Sequence, residues 1–231
     1  MSGAMLLTAL GAFFGAVLSL LVSIGIEYLK KPRLELLAEG PPVDVTYTNH
    51  PAANARFVRV RVRNRAMPRL LRWLGRSAAY QCIGYVQFHH LDNGAPVFSK
   101  SMPIRWSGSA EPVMLHVLAD GSAAQVFDPV RYDAAFRRDC FPGSEEIADV
   151  AAKFDNDEEC YGWSNETYLP GKGWRNQDYR LPKGRYLVRV TIRSSGENIS
   201  RVFQLENSVG RQHFRLLEAS AAERARLEAA G

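Results

Sequence analysis

Between Val45 and Leu91 the sequence has no Asp or Glu, yet Arg56, Arg59, Arg61, Arg63, Arg65, Arg69, Arg72 and Arg76 all fall there. Cysteine is scarce as well. Cys82, Cys140 and Cys160 are odd in number and form no C-x-x-C pair, which argues against a zinc ribbon and a disulfide scaffold and fits a reducing compartment. In an oxidising compartment the expected bridge is Cys140 with Cys160. His50, His89, His90, His116 and His213 lack metal-ligand spacing, so no metal and no cofactor is expected. Gly171-Lys172-Gly173 lacks the rest of a phosphate loop, and Asp155-Asn-Asp-Glu-Glu159 puts Cys160 where a calcium loop needs glycine. Nothing supports a thiol hydrolase built on Cys140 or Cys160 beyond the presence of the residues.

What the chain does have is one long apolar run. Met5 to Ile26 contains no charged residue and is closed by Glu27, Lys30, Lys31 and Arg33. As a helix it is roughly 33 Å long, enough to cross a bilayer. The preceding residues lack a basic n-region and no A-x-A site follows, which favours an uncleaved anchor over a signal peptide. Because the flanking Lys and Arg all follow the run, the expected placement is single-pass in a cell inner membrane, N-terminus outside and C-terminal domain cytoplasmic. Gly11, Gly15, Ser19 and Ser23 recur every fourth residue, a face on which two copies could associate as a homo-oligomer; such residues are also simply common in membrane helices.

Residues 1–31 therefore read as an anchor, 32–207 as one domain with an insertion at 137–180, and 208–231 as a helical tail. In Phe57 to Arg63, Val58, Val60 and Val62 alternate with Arg59, Arg61 and Arg63, the period of a strand with one buried face. Ala79 to His89 predicts a second long strand, turning at Asp92-Asn93-Gly94. Short strands are expected near 97–98, 104–106, 113–118 and 125–132, and longer ones at 185–193 and 200–205. In the insertion, Ser144-Glu-Glu-Ile147 resembles a capped helix start running to Phe154, followed by irregular loop to Tyr179. The fold class is mainly β: an antiparallel sandwich with an N-terminal transmembrane helix, a partly helical insertion and a C-terminal helix.

Arg59-Val-Arg-Val-Arg-Asn64 and Leu181-Pro-Lys-Gly-Arg-Tyr-Leu-Val-Arg-Val190 resemble the "V-x-V-x-N" and "L-x-x-G-x-Y-x-V-x-V" strands of immunoglobulin-like adhesion and interaction modules, over residues 33–205. The resemblance is at the level of the fold; it implies a scaffold that binds rather than catalyses and transfers no functional residue.

Topology places one loop near the bilayer. If the strand ending at Asn64 runs antiparallel to the one leaving the membrane, Arg65 to Ala78 returns to the lipid. Within it Arg69, Leu70, Leu71, Arg72, Trp73, Leu74 and Arg76 read either as an interfacial helix on anionic headgroups or as a turn packing its leucines on the sandwich. Nucleic acid is the other anionic partner an Arg-rich strand could take, but the tether brings lipid nearer. Tyr161, Trp163, Tyr168, Trp174 and Tyr179 crowd into the insertion, as a surface for a protein partner or small ligand or as a satellite core. The strand arginines Arg59, Arg61, Arg63, Arg185, Arg189 and Arg193 form either a basic binding face or a solvated one. The expectation is a non-enzymatic, membrane-anchored binding module at the inner leaflet. A membrane-perturbing sensor that oligomerises through its helix and an anchored enzyme using residues 137–180 are the alternatives. High Ala and Arg content points to a GC-rich bacterial source.

Overall fold

The computed structural model describes residues 3–46, 54–169, 174–208 and 210–229; His50 and the Gly171-Lys172-Gly173 run lie outside them. In chain order the elements are α1 (Gly3–Lys30), β1 (Leu34–Ala38), β2 (Val43–Val45), β3 (Ala55–Asn64), β4 (Ala79–His90), β5 (Met102–Pro103), β6 (Arg105–Trp106), β7 (Val113–Val117) and β8 (Ala123–Phe127). Then come α2 (Pro129–Ala134), β9 (Arg138–Cys140), β10 (Glu145–Phe154), β11 (Cys160–Gly162), β12 (Arg180–Leu181), β13 (Gly184–Arg193), β14 (Asn198–Asn207), β15 (Arg215–Glu218) and α3 (Ala221–Ala229). From Leu10 to Lys30, α1 is long and apolar enough to cross a membrane, and its apolar stretch has no buried residue.

The strands form two main antiparallel sheets. One is ordered β1-β3-β10-β11-β12, with β2 beside β3 and β6 beside β10; the other is ordered β15-β14-β13-β4-β5, with β9 beside β4. The inner faces of the two share one core. Val58, Val60 and Val62 of β3 meet Val86 and Phe88 of β4 and Val188, Val190 and Ile192 of β13 there. The alternation of Val and Arg in β3 is what this burial requires, because only every second side chain can face the core. At Gly84 a Cβ would sit 2.1 Å from Ile104 Cδ1, so only glycine lets that side chain lie against β4.

Several sequence expectations need correction. Residues 145–154 are not a helix but β10, paired with β3 along its length. Its run from Ala148 to Phe154 is buried throughout, since core lies on one side and an aromatic cluster on the other, and a bulge between Asp149 and Ala151 breaks the alternation. Ser144 caps no helix; its hydroxyl donates to Phe141 O within a turn. The strand expected at 125–132 ends at Phe127, where Asp128 caps α2 by accepting from Val130 N and Arg131 N ahead of Pro129. The C-terminal tail first adds β15 to the second sheet. Its helix starts only after Ser220, where Ser220 and Glu223 cap each other.

Candidate functional site

The first candidate surface lies where α1 meets the sheets. As expected, β1 and β3 are antiparallel, with Leu34 opposite Asn64, so β3 ends beside the helix exit. Three hydrogen bonds tie the following loop to that exit: Arg65 N to Arg33 O at 2.9 Å, Ser77 N to Lys30 O at 2.7 Å and Arg76 Nη1 to Lys31 O at 2.7 Å. Asn64, fully buried, joins them. Its Oδ1 accepts from Arg33 N at 3.1 Å, while its Nδ2 donates to Ser77 O and Cys140 O, both at 3.0 Å. On the other side Leu34 N donates to the Glu197 carboxylate at 2.5 Å.

Between these ties Arg69–Leu74 is a 3₁₀ turn that starts after Pro68 and stops at Gly75, whose φ of +64° suits glycine. Three residues per turn stack Leu70 over Trp73, Leu71 over Leu74 and Arg69 over Arg72. No residue of the turn is buried, and Leu70 and Trp73 are 89% and 78% exposed, so these two do not pack on the body of the protein. Phe141, 54% exposed, belongs to the same end, because Gly143 N donates to Asn64 O. Burial and the neighbouring Arg33 push the Arg76 guanidinium below its ordinary value, with Glu197 opposing. Phe141 and Asn64 escaped the sequence reading as functional residues, although Asn64 closes the strand pattern on which the resemblance rests.

The second candidate is an aromatic cleft on the outer face of the first sheet, at the end away from α1. Trp163, Tyr168 and Trp174 line it together with Phe57, Phe154, Arg59, Arg105, Ser107, Glu111 and Asp149, around a cavity of about 140 Å³. Phe57 and Trp163 meet edge to face at 4.9 Å, and Trp163 and Tyr168 at 5.8 Å. Tyr161 is buried in the same cluster without lining the cleft, and Tyr179 belongs to the main core, where burial pushes its hydroxyl up to about 12. Four of the five aromatics, all but Tyr179, thus wall or back a hollow rather than stand out from the surface. The cleft's polar groups were not legible in sequence because they come from β3, β6, β10 and the loop after β6. Asp149 accepts from Arg59 at 2.7 Å and from Ser107 at 2.8 Å; Arg105 donates to Asn165 and Ser109 O and lies over the Tyr168 ring. Among the described residues, no histidine, cysteine or lysine lines this cleft.

The strand arginines divide into two groups. Arg59 is paired with Asp149, and Arg61 and Arg63 share Glu145, so β10 sets two carboxylates against the three arginines of β3. Arg189 and Arg193 of β13 have no carboxylate partner among the described ion pairs. The acidic run after β10 is spent on arginines as well: Asp155 on Arg211, Asp157 on Arg175 and Glu159 on Arg180. Along α1, Gly11 and Gly15 are open, whereas the Ser23 hydroxyl already donates to Ser19 O within the helix. All three cysteines are free and buried, and Cys140 meets Cys82 across β4 and β9 rather than Cys160. No protein-family model, curated protein or solved structure matches the chain.

Proposed function

We propose that the protein is a membrane-anchored, non-enzymatic binding module held against the inner leaflet by the loop at its helix exit, with the aromatic cleft as its ligand or partner surface. The carrying observation is the exposure of Leu70 and Trp73 on a turn hydrogen-bonded to the last residues of α1. Leaving two large apolar side chains in water forfeits about 2 kcal/mol each, a cost removed if they enter the boundary between headgroups and acyl chains. Arg69 and Arg72 on the adjoining edge, with Lys31 and Arg33 close by, match an anionic leaflet, each worth about 1 kcal/mol. The two-sheet body fits the immunoglobulin-like interaction scaffold suggested by its strand patterns. In the cleft, Ser107 donates to Asp149 and Arg59 engages the same carboxylate, so these polar groups are spent on one another, which supports binding over catalysis.

Full-length protein reconstituted in anionic bilayers should show tryptophan quenching by lipids brominated near the headgroups, and that component should vanish in Trp73→Phe. Replacing Arg69, Arg72 and Arg76 by Glu should remove it as well. Undiminished quenching in both variants would rule out the lipid contact.

A further inference from the structure

The unpaired cations of the second sheet share a groove on its outer face, beyond the lipid and aromatic surfaces. Pairing of β4 with β13 sets His89 beside Leu187, Gln87 beside Arg189, Tyr85 beside Thr191 and Ile83 beside Arg193. One wall is the Ser99–Ser101 segment leading into β5; at the far end the other is Leu227 of α3, which packs with Leu187 and Val202. The hollow continues past Gln87 and Ser101, with about 380 Å³ of free space on one side and about 390 Å³ on the other. No acidic residue lines either part. Lys100 lies over the Tyr179 ring and Arg193 over the Tyr85 ring, so aromatic faces rather than carboxylates orient the two cations. His89 is 8% exposed. Its Nδ1 meets Gly94 O at 2.9 Å, and its Nε2 is the groove's one buried side-chain polar atom without a protein partner among the described residues.

We infer that this groove binds a small soluble phosphorylated molecule, its phosphoryl group between Lys100 and Arg189 and its hydroxyl-bearing remainder toward Ser101, Thr191 and Arg193. The Arg189 guanidinium fork and the Lys100 ammonium, with the Ser99 hydroxyl beside them, supply donors that a tetrahedral oxyanion takes, while Ser101 and Thr191, the latter also bonded to Ser200, face the remainder. Lys100 and Arg193 are exposed and Arg189 is half-buried, and their summed positive potential draws an anion to the groove. A lipid headgroup is a poor occupant of the phosphoryl position, because Arg189 pairs with Gln87, eight residues along β4 from Ala79 at the α1 end and roughly 26 Å away, although the Arg193 end of the groove lies nearer the helix.

Full-length protein titrated calorimetrically with inorganic phosphate, then with glycerol 3-phosphate at constant ionic strength, should show saturable one-site binding, tighter for the second. Lys100→Ala and Arg189→Ala should each weaken it by roughly tenfold or more. Arg215→Ala, which breaks an exposed pair with Glu206 elsewhere, should leave it unchanged. Three outcomes overturn the proposal: no saturable heat, equal weakening by all three variants, or heat reproduced by sodium chloride. It is also overturned if Lys100→Ala and Arg189→Ala instead reduce the Trp73 contact with anionic bilayers, which would make the groove a lipid site.

Discussion

Asn64→Leu is expected to lower the unfolding free energy of the full-length protein by about 3 kcal/mol, seen as a fall in thermal midpoint of roughly 10 °C. Leucine keeps the branched outline and heavy-atom count of asparagine but is bulkier, so the change removes the amide and adds some strain at a fully buried site. Three partners are then stranded. Cys140 O is buried and has no easy access to water, while Arg33 N and Ser77 O are partly buried and recover some hydration. That difference is why the expected cost is about 3 kcal/mol rather than the full penalty for three buried orphans. The same substitution should accelerate hydrogen exchange at Ser77 and Arg65, since their bonds to Lys30 O and Arg33 O depend on the position of the loop. A loss under 1 kcal/mol with unchanged exchange would show that the exit is held by packing instead.

Lys153→Met should cost about as much at the opposite end of the sheets. Lys153 is 2% exposed; its ammonium donates to Asn207 Oδ1 at 2.6 Å, Glu158 O at 2.8 Å and Ser208 O at 3.1 Å. Hydrogen bonds from a charged group contribute about 1.5 to 3 kcal/mol each, and desolvation, which pushes this amine below its ordinary value, offsets part of that. The balance is a loss of about 3 kcal/mol in urea unfolding. Asn207 should then loosen too, because its Nδ2 holds Leu181 O and Pro182 O. If Lys153→Met proves neutral or stabilising, burial of the charge outweighs its hydrogen bonds.

These two asparagines close the two-sheet body at opposite ends, and they show what sequence could and could not reveal. β3, β4 and β13 were legible because one face of each is wet, and alternation survives wherever that holds. β10 was not. Covered on both faces and interrupted by a bulge, its alanines and early glutamates imitate a helix, and only its pairing with β3 decides the matter. The helix-exit loop could be placed because one antiparallel return toward α1 fixes its end of the molecule. Its turn type, and the outward direction of Trp73, depend on hydrogen bonds to residues far off in sequence. The aromatic crowding in residues 161–179 was visible, but not that these rings would roof the outer face of a sheet. Nor does a sequence disclose that Arg61 and Arg63 share Glu145 while Arg189 and Arg193 have no carboxylate partner among the described ion pairs.

The contact between Cys82 and Cys140 also keeps a chemical record of where the domain has been. Cys82 Sγ donates to Ala79 O at 3.3 Å, and interaction between the two buried thiols draws Cys82 below its ordinary value and pushes Cys140 above it. Had the domain matured on the exporting side of the membrane, disulfide carriers there would be expected to take two electrons and two protons from the pair and leave a crosslink between β4 and β9. A domain retained in the cytosol keeps both sulfurs alkylatable after denaturation. Mass spectrometry of protein trapped with iodoacetamide straight from cells therefore reads the orientation of the anchor without any fused reporter, from two sulfur atoms that no solvent reaches.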